Sequence, residues 1–231
     1  MPAAPVRSIG LQFDQVDKRY GAVYALRDLT LNIAAGECVA VVGRNGSGKT
    51  TLLRAAAQLV RPSRGSIAFS GGAEDAKAAI GFVAHATMVY DELTAEENLV
   101  FFARLQELAE PKTRADELLR EVGLHDRKDS LVRTFSRGMR QRVAIARALL
   151  AQPSLLLFDE PATGLDAESN LWLTEHLRKL RDTGCTILMS LHGDSELARL
   201  ATRAIRLEGG GLIADTRRGA MFQSIFAAAG Y

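Results

Sequence analysis

The stretch at 38–59, CVAVVGRNGSGKTTLLRAAAQL, constrains the fold of this chain more than any other. An apolar run at 39–42 stops at Gly43, a glycine-rich turn follows, and from Lys49 the residues Leu52, Leu53, Ala56 and Leu59 recur at helical spacing. Strand, loop and helix are expected in that order. The turn Gly43-Arg44-Asn45-Gly46-Ser47-Gly48-Lys49-Thr50 fits the phosphate-cradling pattern G-x-x-x-x-G-K-[ST] in the context that the pattern requires. Glycines at 43, 46 and 48 would keep side chains away from the main-chain N–H groups, leaving these to ligate a polyphosphate such as that of ATP. Lys49 would reach the β and γ phosphates, the helix N-terminus adds unpaired N–H groups, and the Thr50 hydroxyl, reinforced by Thr51, would sit on Mg²⁺. A chance glycine turn with an incidental lysine is the competing explanation.

The 231 residues suit one nucleotide-binding domain with an inserted subdomain. Twenty-nine basic against twenty-seven acidic residues leave a formal charge of +2, too weak a field to argue for nucleic acid or anionic lipid, so no nucleic-acid partner is expected. Cys38 and Cys185 open apolar strands without metal or redox spacing and read as buried small residues. No window approaches a membrane-spanning length, and residues 1–7 lack the apolar centre of a signal peptide. A cytoplasmic chain that meets the membrane only through a partner is expected.

Strands are expected at 10–16, 29–33, 66–69 and 79–83, with Tyr20 just past the end of the first. Thr94-Ala95-Glu96-Glu97 is a capping box that opens a helix carrying Leu99, Phe101, Phe102, Leu105 and Leu108. Further helices follow at 112–122 and from Ser136 to about 150. Beyond these, strands at 155–158, 186–190 and 204–207 alternate with helices at 167–181 and 195–201, which argues a parallel sheet with covering helices. Gly209-Gly210-Gly211 turns into a short strand at 212–214, and an apolar tail at 221–231 is compatible with a helix.

The strand at 155–158 runs into Asp159-Glu160-Pro161, carboxylates at the C-terminal edge where a doubly wound sheet binds ligand. Asp159 would hold Mg²⁺ through water, and Glu160 could take the proton of an attacking water. Just upstream, Ser136-Arg137-Gly138-Met139-Arg140-Gln141-Arg142 resembles the signature sequence of the ATP-binding subunits of ABC transporters. The resemblance spans about residues 10–214. It implies an α/β P-loop NTPase fold with a mixed sheet, an antiparallel N-terminal β part and an inserted α-helical subdomain. The catalytic lobe would comprise 10–83 and 151–215, the helical subdomain 84–150 and a C-terminal tail 216–231. Residue by residue, it implies that Tyr20 stacks on adenine, a core tyrosine being the alternative. Ser136, Arg137, Gly138 and Met139 would face the γ phosphate bound by a second ATP-binding subunit. Asp166, in Thr163-Gly164-Leu165-Asp166, would lie in the loop between subunits, and His192 would sense the γ phosphate.

Two departures from the family pattern stand out. His85, in Ala84-His85-Ala86-Thr87, falls at or next to the position of a glutamine that ligates Mg²⁺ or its water, and Arg137 and Met139 replace commoner Gly and Gln. The implied activity is Mg·ATP hydrolysis with Lys49, Glu160 and His192 in catalysis. A homodimer would energise integral membrane permease subunits from the inner face of the membrane, docked through the surface around 85–93. The form Phe135–Met139, with Ala84-His85 and the segment 90–94, is similar to ATPases assigned to haem export in cytochrome c maturation; exporters of drugs, lipids or polysaccharide share parts of it. A soluble ABC-type ATPase working on DNA or ribosomes, or a P-loop GTPase or kinase, are the readings of another class.

Overall fold

The computed structural model, which describes residues 8–70, 80–192, 195–219 and 222–227, divides its strands between two sheets. β1 (Gly10–Tyr20), β2 (Val23–Ile33) and β4 (Arg64–Ser70) form an antiparallel sheet in the order β2-β1-β4. β3 (Cys38–Val42), β5 (Ile80–Val83), β6 (Leu155–Asp159), β7 (Thr186–Ser190), β8 (Arg203–Glu208) and β9 (Gly211–Arg217) form the second, in the order β5-β6-β7-β3-β8-β9. Neighbours in it run parallel except β9, which returns antiparallel to β8. The fold is α/β with an antiparallel N-terminal part and a mixed sheet, as the sequence implies.

The short apolar runs at the centre of the second sheet are covered on both faces, as parallel strands require. Every residue of β3, β6 and β7 is buried. The period of two then divides each run between two cores. Val39, Val41, Leu155, Leu157 and Leu188 face the antiparallel sheet and α1 (Lys49–Ala56), while Ala40, Val42, Leu156, Phe158, Ile187 and Met189 face the later helices. Cys38 and Cys185 are buried, and burial pushes both thiols up to about 12.

Between β5 and β6 lie α2 (Ala95–Leu105), α3 (Pro111–Glu121) and α4 (Arg137–Ala148). The capping box at Thr94 forms: its hydroxyl accepts from Glu97 N, and the Glu97 carboxylate accepts from Thr94 N. α5 (Ala167–Asp182) and α6 (Phe222–Ala227) complete the layer, α6 burying Phe222, Ile225 and Phe226.

Several expectations are corrected. Leu59 lies outside α1, because Gln58 turns left-handed and leaves Leu59 exposed. α2 buries Ala95, Leu99, Val100 and Ala103, whereas Phe101 and Leu105 face outward and Leu108 lies beyond the helix. The helix expected at 195–201 is a single 3-10 turn, Ala198–Leu200, since β8 begins two residues after Ala201. β1, β2 and β9 run longer than periodicity suggests, because pairing with a neighbour sustains polar stretches that carry no apolar signal. Residues 1–7, Ala79 and the tail at 221 and 228–231 fall outside the described residues.

Two successive helices, α4 and α5, meet in a stack. The Arg142 guanidinium of α4 lies 4.5 Å from the Trp172 ring centroid of α5, and His176 stacks on Trp172 at 5.0 Å. His176 is buried, and Glu121 Oε1 stands 3.7 Å from Nε2, beyond hydrogen-bond reach. Burial first, and Lys179 second, push its pKa from 6.5 down to about 4. An unfolded chain therefore takes up this proton near pH 6.5 while the native chain resists until about pH 4, so native stability falls as pH drops through that window. The expected loss is on the order of 3 kcal/mol. His176→Phe, which keeps the stacking, should remove it; urea unfolding at pH 7 and pH 4.5 measures the difference, and an unchanged pH dependence in the variant would refute the assignment.

Candidate active site

Lys49 opens α1 and is buried, its ammonium donating to the carbonyls of Gly43 at 2.6 Å and Arg44 at 3.3 Å. Burial holds its pKa below the usual lysine range against the pull of Glu160 and Asp159. The helix begins at Gly48 with φ 109° and no side-chain cap, so no side chain claims its first N–H groups. That is the arrangement an anion at a helix N-terminus uses. Arg44, Asn45 and Gly46 are exposed, Ser47 is buried, and Thr51 is half-buried in the first turn.

The three glycines differ in what surrounds them. A Cβ on Gly43 would stand 2.3 Å from the carbonyl oxygen of Leu207, and one on Gly48 2.4 Å from that of Ala25. Only Gly46 faces open space, with nothing within 4 Å. Gly43 and Gly48 thus meet protein backbone, and Gly46 is the glycine left for close approach of phosphate.

Asp159 closes β6 and is buried, and its Oδ1 accepts from Thr50 Oγ1 at 3.1 Å and from Ser190 Oγ at 2.9 Å. Ser190, the last residue of β7, in turn accepts from the Glu160 N–H at 2.8 Å. Glu160 is left-handed at φ 53°, a strained conformation for a residue with a Cβ. Its carboxylate sits between two histidines: His192 Nε2 is 2.5 Å from Oε1 and His85 Nδ1 is 3.5 Å from Oε2. His85 therefore contacts Glu160; among the described residues no contact joins it to Thr50 or Asp159. A recess of about 200 Å³ opens beside Glu160, Thr163, Ser190 and His192. Thr50 and Asp159, a hydroxyl and a carboxylate on one oxygen-rich spot, are a donor set that suits Mg²⁺.

Tyr20 is half exposed at the end of β1, with Lys18 Nζ 5.1 Å from one side of its ring. It pairs with Val23, two residues from the Ala25 carbonyl that packs on Gly48, so the β1–β2 turn stands over the start of α1. At the other segment, Ser136 caps α4 by accepting from Met139 N at 3.2 Å. A Cβ on Gly138 would stand 2.2 Å from Ser169 Oγ, and one on Gly164 2.9 Å from the Arg137 guanidinium carbon. Asp166 caps α5 by accepting from Ser169 N at 2.8 Å, and these Ser169 bonds hold its carboxyl below the usual range. The start of α4 and the loop before α5 are thus packed together, with Arg137 laid over Gly164.

Lys49, Thr50, Asp159, Glu160, His192 and His85 converge, whereas Ser136–Met139 and Asp166 pack on each other. Sequence reasoning missed Ser190 and Ser169. A polar residue ending a buried strand beside Asp159 was the available signal for the first; nothing local marks the second.

Comparison with known proteins agrees. The family model described as ABC transporter matches residues 26–163. The ABC transporter ATP-binding protein NatA of Bacillus subtilis is 42% identical over 199 residues, covering 83% of this chain and 81% of that protein. The Nod factor export ATP-binding protein I of Rhizobium johnstonii is 35% identical, covering 96% and 74%. A solved ATP-binding cassette, dimeric and bound to ADP and Pi in a post-hydrolysis state, is 30% identical with a TM-score of 0.81, covering 90% of this chain and 99% of that one.

The glycine geometry predicts unequal costs. Gly46→Ala should lose about 1 kcal/mol of stability, from backbone strain alone, while weakening ATP binding. Gly43→Ala should lose at least about twice that, since its Cβ meets a carbonyl that cannot yield. Urea unfolding without nucleotide distinguishes them, and equal losses would contradict the packing described.

Proposed function

Because the chain belongs to the ABC transporter family as an ATP-binding subunit and hydrolyses ATP, we propose that two copies close head to tail over two ATP molecules and energise export through separate membrane subunits. The observation that carries this reading is the division within one chain. The phosphate loop and carboxylates converge, while Ser136–Met139 is engaged with the start of α5 and is available to a second copy's nucleotide. The cassette at 30% identity, dimeric and bound to ADP and Pi, supports the pairing of two such subunits.

In the proposed reaction Lys49 and the loop N–H groups hold the phosphates, and Tyr20 presents its free face to adenine. Thr50 and Asp159 would hold Mg²⁺, which supplies charge neutralisation on the phosphates. Ser190 orients Asp159 through its hydroxyl and Glu160 through its backbone. Glu160 accepts the proton of the attacking water, with His192 holding one carboxylate oxygen and His85 facing the other. On this reading His85 acts on the base rather than on the metal. Asp166, capping α5, fixes the loop that approaches the second copy.

Among the described residues no helix is long and apolar enough to cross a membrane, so the site of docking matters. Met88, Tyr90, Phe101 and Leu105 are exposed together, Tyr90 packing edge-on against Phe101 at 5.3 Å and stacked on Phe102 at 5.9 Å. We assign this patch to the permease subunits, which would hold the chain on the inner face of the membrane. The residues behind the haem likeness have roles in the fold, the site or the docking patch rather than in cargo recognition. Phe135 is buried, Tyr90 belongs to the aromatic group, and Thr94 caps α2. They carry no information on cargo, and export of a small molecule, as in the Nod factor relative, is the reading we favour over haem.

Two experiments test this. Glu160→Gln should lower turnover about 100-fold or more and accumulate a dimer with ATP and Mg²⁺ by light scattering; a monomer with normal turnover would remove Glu160 as the base. Leu105→Glu should leave basal ATPase unchanged and abolish co-purification with membrane subunits; retained co-purification would move the docking site elsewhere.

A further inference from the structure

We infer that Gly210, in the turn joining β8 to β9, backs the nucleotide site and is a positioning residue for the phosphate loop. The Gly210 N–H donates to the Ser47 carbonyl at 3.1 Å, and the Gly210 carbonyl accepts from Arg27 N at 2.9 Å. A chain of main-chain bonds thus runs from the phosphate loop through the turn to β2. In a planar trans peptide the carbonyl of one residue and the N–H of the next point in opposite directions. Holding the Ser47 carbonyl toward the turn therefore aims the Gly48 N–H the other way, out from the loop. That N–H belongs to the set offered to phosphate.

Packing fixes the same geometry. The missing Cβ of Gly43 lies on Leu207 O, and that of Gly48 lies on Ala25 O with Gly210 Cα 3.5 Å away. Gly210 has φ 83°, and a Cβ there would stand 3.0 Å from both Ala25 O and Leu26 Cα. Loop, turn and β2 meet chiefly backbone to backbone, the side chains of Leu26, 3.2 Å from the Gly48 Cβ position, and Ser47, 2.6 Å from that of Gly43, lying in the same seam. A recess of about 110 Å³ between Arg44–Ser47 and Arg206–Gly209 follows this seam, and the Ser47 hydroxyl is buried without a hydrogen-bond partner among the described residues. Gly209 supplies the matched contrast: φ is 55°, also left-handed, but nothing lies within 4 Å of its Cβ position.

A displaced turn would misalign the Gly48 N–H and weaken ground-state binding of ATP, while Asp159, Glu160 and Ser190, held by other strands, would be untouched. The signature is a raised KM with an unchanged kcat. For the full chain, Gly210→Ala should raise KM for MgATP, and Kd for a fluorescent ATP analogue, about tenfold, with kcat within about twofold. Gly209→Ala should leave both within about twofold, although it forces the same left-handed backbone on a residue with a Cβ. A normal KM in Gly210→Ala, or an equal rise in Gly209→Ala, overturns the inference. Should Gly210→Ala fail to fold, hydrogen exchange on the wild-type chain decides: MgATP should slow exchange at the Gly210 and Arg27 amides several-fold, and unchanged exchange there overturns the inference as well.

Discussion

Asp159 Oδ1 accepts hydrogen bonds from Thr50 and Ser190, and so ties the first turn of α1 to the ends of two neighbouring parallel strands. Each partner comes from a different part of the chain, and each is delivered by a strand or helix whose position the two cores fix. The Ser190 hydroxyl does a second task, receiving the backbone N–H of Glu160. A buried carboxylate would be costly alone; two hydroxyl donors offset part of that cost and also fix its direction. The left-handed turn at Glu160 follows, bringing the next carboxylate out toward His192 and His85. In the proposed reaction the metal-binding and proton-accepting groups are thereby set one residue apart.

A second join works at longer range. α4 and α5 meet along a line that begins with Arg137 over Gly164, continues through Gly138 against Ser169, and ends in the Arg142-Trp172-His176 stack. The close approach at Gly138 leaves no room for a side chain, so the two helix starts cannot shift independently without a clash. Segments that both look toward a second copy in the proposed dimer are therefore held as one surface. The Asp166 cap adds to this, since the same Ser169 whose side chain packs on Gly138 donates its N–H to Asp166.

Much of this was legible in the residues. The runs at 38–42, 155–159 and 186–190 read as buried strands because both faces are covered, and Thr94 read as a cap because the box needs only four residues. The phosphate loop, Asp159 and Glu160 are contiguous motifs and could be placed without the fold. Polar stretches of β1, β2 and β9 were invisible because their pairing partners, not their own periodicity, make them strands. The outward turn of Phe101 and Leu105 escaped for a related reason: an apolar residue on a helix says nothing of whether a neighbour arrives to cover it.

The nucleotide chemistry and the α/β class can be read from local residues, because phosphate recognition depends on a few backbone N–H groups and a lysine close together in the chain, and burial depends on local pattern. Contacts across the fold explain why Gly43 and Gly48 must be glycine, which serine orients the carboxylates, and how His85 meets Glu160. Those are contacts between residues far apart in the chain, set by how two cores pack around one sheet, and no local spacing encodes the distance between them.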